Sequence, residues 1–326
     1  MAYDLEFERP LADIEKRIQG LQRRGERMKS EERAQVAELQ QELERRTREI
    51  YGALTPWQRV QVARHRERPY MMDYVKLICD DFFELRGDRR YSDDKAMRAG
   101  LASIDGQTVM LIGHQKGRTI QEREENSHGM AHPEGYRKAL RLFQQAEKLH
   151  MPVVTLIDTA GAHPGFEDEE RGISQAIAEN LLVMANLRTP IVSMVIGEGG
   201  SGGALGISVS DRILMLENAI YTVASPEAAA SILWRDAAFA PDAAKAMKIT
   251  APDLLQLEMI EEIIPEPLGG AHHDHAATAE AVKAALLRHL CELRAVPLDT
   301  LPDNRYQRFR KIGAHSIELV EANTAG

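Results

Sequence analysis

Residues 191–207 read IVSMVIGEGGSGGALGI, with five glycines (Gly197, Gly199, Gly200, Gly202, Gly203) inside seven positions. A β-branched apolar run leads in and a second apolar run follows, which predicts a buried strand, a tight turn and a helix N-terminus. Without Cβ atoms, such a turn lets a ligand approach the backbone closely. The unpaired N–H groups at a helix start, with the dipole behind them, favour negative charge. The turn is therefore suited to hold a phosphate or to stabilise an oxyanion. A second glycine turn, DTAGAHPG at residues 158–165, follows the apolar run PVVTLI. Both turns fall at strand ends, the edge at which open α/β sheets bind ligands.

Phosphate chemistry of the Walker type requires a Lys after the glycines, and neither turn has one. Gly197, Gly199 and Gly202 match the spacing of a dinucleotide fingerprint, but spacing alone is a weak signal. Ser201 sits in G-G-S-G-G, like a nucleophile elbow, which needs a positioned His base further along. His272, His273 and His275 do follow, but in a Gly-Ala-His-His-Asp-His loop with no strand before it. We read that loop as solvated rather than metal-binding, since no matching Cys or second cluster accompanies it. The remaining reading is that one backbone N–H from each turn converges on one carbonyl oxygen and stabilises an enolate or oxyanion without a titrating side chain.

The elements that must position these turns are legible as periodicities. Val109–Ile112, Pro152–Ile157, Ile191–Ile196, Ile213–Leu216 and Ile220–Val223 read as strands, and Glu134–Leu149, Glu169–Leu187 and Thr278–Arg294 as helices. Their alternation predicts an α/β fold with a parallel sheet and βαβ crossovers. Residues 1–50 are rich in Glu, Arg and Gln. Leu11, Ile14, Ile18 and Leu21, then Val36, Leu39, Leu43 and Ile50, predict two amphipathic helices in a hairpin with a narrow apolar seam. We divide the chain into an N-terminal helical assembly region, 1–68, and a second domain, 69–326, ending in a helix and a basic tail at Asn304–Lys311. The net charge of −9 argues against nucleic acid as the main ligand. No apolar run is long enough to span a membrane, and acidic residues near the N-terminus do not resemble a signal peptide, so a cytoplasmic location is expected. Cys79 and Cys291 are the only cysteines, with no metal-type spacing.

Beyond these readings, the motifs FERPLADIEKRI, LTPWQRVQVARH, FELRGDRRYSDDKA, IGHQKGR, HPEGYRKALRL, DTAGAHPG, EERGISQAIAENL, VIGEGGSGGALGI, SPEAAASILW and IIPEPLGGAH occur in that order. In them the chain resembles the alpha subunit of bacterial acetyl-CoA carboxylase carboxyltransferase, of the ClpP/crotonase superfamily. The resemblance implies a crotonase-like ββα spiral core behind the N-terminal helical hairpin. It implies a biotin-dependent carboxyltransferase of fatty acid biosynthesis, active only with a zinc-containing beta subunit in an α2β2 heterotetramer. Carboxybiotin on the biotin carboxyl carrier protein, charged by biotin carboxylase, would supply the carboxyl group, and acetyl-CoA would accept it to give malonyl-CoA. No metal is expected in this chain. The oxyanion hole maps onto Gly199 and Gly200, with Gly161 and Ala162 contributing. Lys116 and Arg118, beside a strand end, are candidates for orienting biotin or its carrier, and Gly197, Ser201 and Gly202 for binding it. Ala160, His163, Ser127, Ala131, Ala228 and Ala229 depart from the family pattern inside expected functional loops. This leaves open a divergent paralogue that carboxylates another acyl-CoA, or a non-catalytic, regulatory one.

Overall fold

The computed structural model describes residues 3–23, 25 and 28–313, so the last stretch of the expected second domain lies outside the described residues. Helices α1 (Arg9–Gln22) and α2 (Ser30–Gly52) precede α3 (Pro56–Ala63) and α4 (Met71–Ile78). Then come β1 (Asp81–Glu84), β2 (Met97–Ile104), β3 (Gln107–His114), α5 (Ile120–Glu125), α6 (Pro133–Lys148) and β4 (Val153–Thr159). They are followed by α7 (Phe166–Glu170), α8 (Ile173–Asn186), β5 (Ile191–Gly200), α9 (Ser201–Leu205), β6 (Arg212–Leu216) and β7 (Ile220–Thr222). Last are α10 (Pro226–Trp234), α11 (Ala240–Ala246), α12 (Ala251–Gln256), β8 (Glu262–Ile264), α13 (His275–Arg294) and α14 (Leu301–Lys311).

The sheet runs β1-β2-β3-β4-β5-β6-β8, with β7 paired to β5 outside this path. From β3 to β8 it is parallel, but β1, β2 and β3 form an antiparallel meander that the all-parallel reading missed. Those edge strands carry Arg98, Gly100 and Ser103 among their apolar residues, so no continuous apolar run marks them. β4 and β5 are buried along their whole length, as expected of central parallel strands. β5 pairs with β6 through Val192–Val195 and with β7 through Glu198–Gly200, so the strand serves two partners in succession. The β4–β5 register shifts between Ile157 and Thr159, and Gly197 sits in that irregularity.

The hairpin forms as its periodicity predicts: Ile14, Ile18, Val36 and Leu39 make one buried cluster between α1 and α2. A second cluster of Leu11, Tyr51, Leu54 and Val62 joins the hairpin to α3. α3 in turn buries Val60 and Ala63 against Ile220, Ala244 and Ile249.

One expectation is corrected. Glu169–Leu187 is not one helix, because Gly172 adopts φ 78° and separates α7 from α8. The basic tail at Asn304–Lys311 is helical and forms most of the docked helix α14. Arg305, 1% exposed, holds Asp211 through Nε at 3.0 Å and Nη2 at 2.9 Å. It also donates to the carbonyls of Leu187 at 3.0 Å and Thr189 at 3.2 Å. Charge periodicity exposes such a residue on paper, and only burial of its partner pulls it inward. Arg305→Met is expected to destabilise the fold by about 3–5 kcal/mol, since it leaves Asp211 buried without its cation. A urea titration matching that of the parent chain would refute this.

Candidate active site

The two glycine turns meet at the ends of β4 and β5. A Cβ on Gly200 would lie 2.1 Å from the Ala160 carbonyl oxygen, and one on Gly203 would lie 2.3 Å from Gly161 C. Glycine at these places brings one turn's backbone directly onto the other. Gly197 has the same role against Asp158 (Oδ1 at 2.4 Å) and Gly199 against the Tyr221 ring (Cδ2 at 2.4 Å). By contrast, Gly161 and Gly202 have room for a Cβ, the nearest atoms being 4.0 and 3.7 Å away.

Gly199 and Gly200 are extended strand residues in register with Tyr221 and Thr222, so the expected second turn begins only at Ser201. The helix after it, α9, has five residues rather than a long helix with a full dipole. In the first turn, Gly161 N–H is taken by Thr159 Oγ1 at 3.2 Å and His163 N–H by the Ala131 carbonyl at 3.0 Å. Between them, Ala162 N–H has no acceptor among the described residues.

Ser201 is exposed and holds φ at +52°, in the left-handed region unfavourable to a side chain. Strain of this kind concentrates at functional turns. Ser201→Gly is therefore expected to raise stability by roughly 1 kcal/mol, visible as a higher Tm. A lower Tm would show that the hydroxyl does more for the fold than the conformation costs it.

Beneath the turns lies a network of charge. Lys116 Nζ bridges Asp158 Oδ1 at 2.7 Å and Glu198 Oε2 at 2.9 Å. Glu198 also pairs with Arg64, which reaches on to Glu227. Burial would raise the Glu198 carboxyl, but the Lys116 and Arg64 charges outweigh it and hold it down at about 2. His114 beside them is neutral, pushed down to about 3 by burial and then by Lys116. Arg68, fully buried, grips Glu266 at 2.7 Å and the Ile196 carbonyl at 2.9 Å, just ahead of Gly197. Lys116 is thus held between carboxylates, its side chain only 14% exposed, and braces the turns from below instead of reaching out. Arg118 is occupied likewise by Asp73 at 2.8 Å and the Arg68 carbonyl at 3.1 Å, with its guanidinium over Tyr70.

A second group braces the first turn. Asp168 accepts from His132 Nδ1 at 2.7 Å and His163 Nδ1 at 2.5 Å, and also from Arg171 at 2.8 Å. Burial opposes ionisation of Asp168, but the two imidazole hydrogen bonds prevail and hold its carboxyl below the usual range. Ser127 Oγ lies 2.9 Å from His132 Nε2, connected as in an acyl-transfer triad. The nearby Gly129 and Met130 N–H groups are spent on the Asn126 and Ser127 carbonyls, so they are not available to an oxyanion. The sequence reading missed Asp158, Glu198, Arg64 and Asp168. Asp158 and Glu198 flank the glycines, and Asp168 lies five residues after His163 and three before Arg171, so local signals existed for these, whereas the Arg64 partnerships span more than a hundred residues and cannot be read from spacing.

Next to Ser201 and Gly202 opens an apolar cavity of about 520 Å³, lined by Leu205, Tyr221, Val223, Ile249 and Leu254 among others.

Comparison with known proteins decides the family. The model of the acetyl co-enzyme A carboxylase carboxyltransferase-like family matches residues 4–313. The chain belongs to this family. It is 51% identical over 325 residues to the acetyl-coenzyme A carboxylase carboxyl transferase subunit alpha of Halalkalibacterium halodurans, covering 99% of this chain and 100% of the relative. Against the subunit of the same name from Vibrio cholerae it is 52% identical, covering 95% and 98% of the two chains. Among solved structures, a Pseudomonas malonate decarboxylase hetero-tetramer in complex with coenzyme A aligns with TM-score 0.56 at 18% identity, over 72% of this chain and 93% of that one. The transcarboxylase 12S structure aligns with TM-score 0.53 at 18% identity, over 67% and 42%. At these identities the structural likeness speaks for the crotonase-like carboxyltransferase fold alone. The expected α/β crotonase-like fold and a carboxyltransferase activity therefore stand.

Proposed function

We propose that this chain, as the alpha subunit of an acetyl-CoA carboxylase carboxyltransferase, transfers a carboxyl group from carboxybiotin to acetyl-CoA in a complex with a beta subunit. Identity at about half of all positions over nearly the whole length of both chains supports this most strongly. The residues at the turns suit the bound group. The cavity beside Ser201 and Gly202 has walls of Tyr221, Val223 and Leu205 for an apolar bicyclic ring and its chain. Ala162 N–H, unpaired in the turn after β4, suits a ureido oxygen that gains negative charge. Carboxybiotin, when bound, would supply the carboxyl group and a base for the acetyl methyl proton.

This chain's own part is to hold the first and second turns at fixed separation, so that N–H groups are aimed before charge develops. Preorganised dipoles need no reorganisation during reaction, which is why the site works without a titrating side chain of its own. Of the expected residues, Ala162 and Gly202 face this work most directly. Gly161, with its N–H spent on Thr159, and Gly197, Gly199 and Gly200 act by permitting close approach. Ser201 shapes the turn, while Lys116 and Arg118, held by carboxylates and a carbonyl of the chain itself, keep it in position.

The beta subunit has an apolar face available to it on α10, where Ile232, Leu233 and Trp234 are exposed by 76%, 65% and 43%. The hairpin of α1 and α2 is a second assembly element in this reading. Among the described residues no helix is long and apolar enough to cross a membrane.

The test is reconstitution with the beta subunit from the same organism and carrier protein whose biotin has been charged to carboxybiotin. Malonyl-CoA should form only when both subunits are present. Formation by this chain alone, or a preference for a longer acyl-CoA, would overturn the reading.

A further inference from the structure

The segment entering α1 meets the body of the fold at a cluster of imidazoles that takes no part in the site above. Glu8 is fully buried. Its carboxylate accepts from Tyr51 Oη at 2.5 Å and from Leu5 N–H at 2.9 Å, but it has no ion-pair partner among the described residues. The nearby His65 is already committed to Asp4 at 2.7 Å. A buried carboxylate without a cation is costly, and burial accordingly pushes the Glu8 carboxyl up.

The loop after β8 delivers two imidazoles to this carboxylate. Gly269 and Gly270 adopt φ of +90° and +98°, and a Cβ on them would lie 2.8 Å from His273 Cδ2 and 3.0 Å from His272 Cε1. Bare backbone thus forms the cradle against which both rings lie. Glu266, itself held by Arg68, fixes the loop by accepting from Ala271 N–H at 2.8 Å. The loop is not solvated, contrary to expectation: both ring nitrogens of His272 and Nε2 of His273 are buried, and they bond nothing among the described residues. Buried polar atoms left without partners are few in native proteins and mark missing ions among other causes. The Arg68 charge that a cation would otherwise meet is already offset by Glu266.

The other histidine cluster differs in this respect. His132 and His163 both bond Asp168 through Nδ1, so that group is satisfied as it stands. At Glu8, His272 and His273, one ligand atom from each residue lies within 4.8 Å of the others. Two imidazoles and one carboxylate are a recurrent zinc ligand set. The geometry points to a site for a borderline-soft divalent cation of the Zn²⁺ class, held by Glu8, His272 and His273, that ties the start of α1 to the loop after β8. It adds a metal to a chain expected to have none. The ion offsets the Glu8 charge and occupies the free nitrogens, and binding it stabilises the folded chain by mass action.

The test uses the untagged full-length chain, freed of metal with a chelator and purified without other subunits. Equilibrium dialysis against Zn²⁺ should give one equivalent per chain, and Co²⁺ should give the visible absorption of a tetrahedral site. Added Zn²⁺ should raise the Tm. His273→Gln should weaken binding by at least about 100-fold and abolish the Tm response, while its metal-free Tm matches the parent's. Glu8→Gln, which keeps a hydrogen-bonding group of the same size, gives a second reading should His273→Gln fail to fold. His150→Gln, at an exposed position, should bind like the parent. Absence of stoichiometric binding by the parent chain, or affinity unchanged in both cluster variants, would overturn the assignment.

Discussion

Gly200→Val is expected to lower carboxyl transfer by about 10²–10³-fold, the loss typical of a misaimed oxyanion donor. The variant's Cβ would stand 2.1 Å from the Ala160 carbonyl oxygen, so the two turns must part. The contact is backbone against backbone, with no flexible side chain to yield. Stability should therefore fall too, by about 1–3 kcal/mol for overpacking. The strand end is a packed junction and not an open turn. Gly202→Ala separates the two effects: its Cβ meets only Ile177 Cδ1, at 3.7 Å, and alanine favours the helix. That variant should keep the parent's Tm, and kcat in the reconstituted complex then reports on the turn's contact with substrate. Near-parent transfer by Gly200→Val would show that the separation of the turns does not govern the reaction.

Lys116→Met should be the most destabilising single change near the site. It removes the cation between Asp158 and Glu198, leaving Asp158 buried without its cation and Glu198 with Arg64 alone, at a cost of about 3–5 kcal/mol. The pH dependence follows from Glu198, whose carboxyl is held at about 2 against an ordinary 4.5. A depressed carboxyl contributes stability that is fully present above its unfolded value and is lost as pH falls through its folded one. In the parent chain that contribution should fade between about pH 4.5 and 2. Without Lys116 the folded value rises, the window narrows toward 4.5, and less of the stability at neutral pH comes from this group. Urea midpoints measured from pH 7 to pH 3 should show both effects. Parent-like midpoints across that range would mean that the network is not under electrostatic tension.

Much of this molecule is written in local pattern. The central strands are continuous β-branched runs because both of their faces are buried, and such runs survive translation into structure almost residue for residue. The hairpin is legible for the same reason, since its seam repeats at the helical period and needs no distant partner to define it. The glycine turns announce themselves because only glycine tolerates backbone packed on backbone, and the order of motifs identifies the family.

What the pattern does not contain is partnership across the chain. Lys116 reads as a free basic residue in a turn until Asp158 and Glu198 are brought to either side of it, 42 and 82 residues further on. Arg305 reads as part of a charged tail until Asp211, 94 residues away, draws it into the core. His272 and His273 read as solvated until two left-handed glycines fold their loop onto Glu8. Composition and periodicity describe a side chain's own preference for water. Its charge state, exposure and role depend on which other charge shares its burial, and that is settled only when the sheet and its connections bring remote residues together.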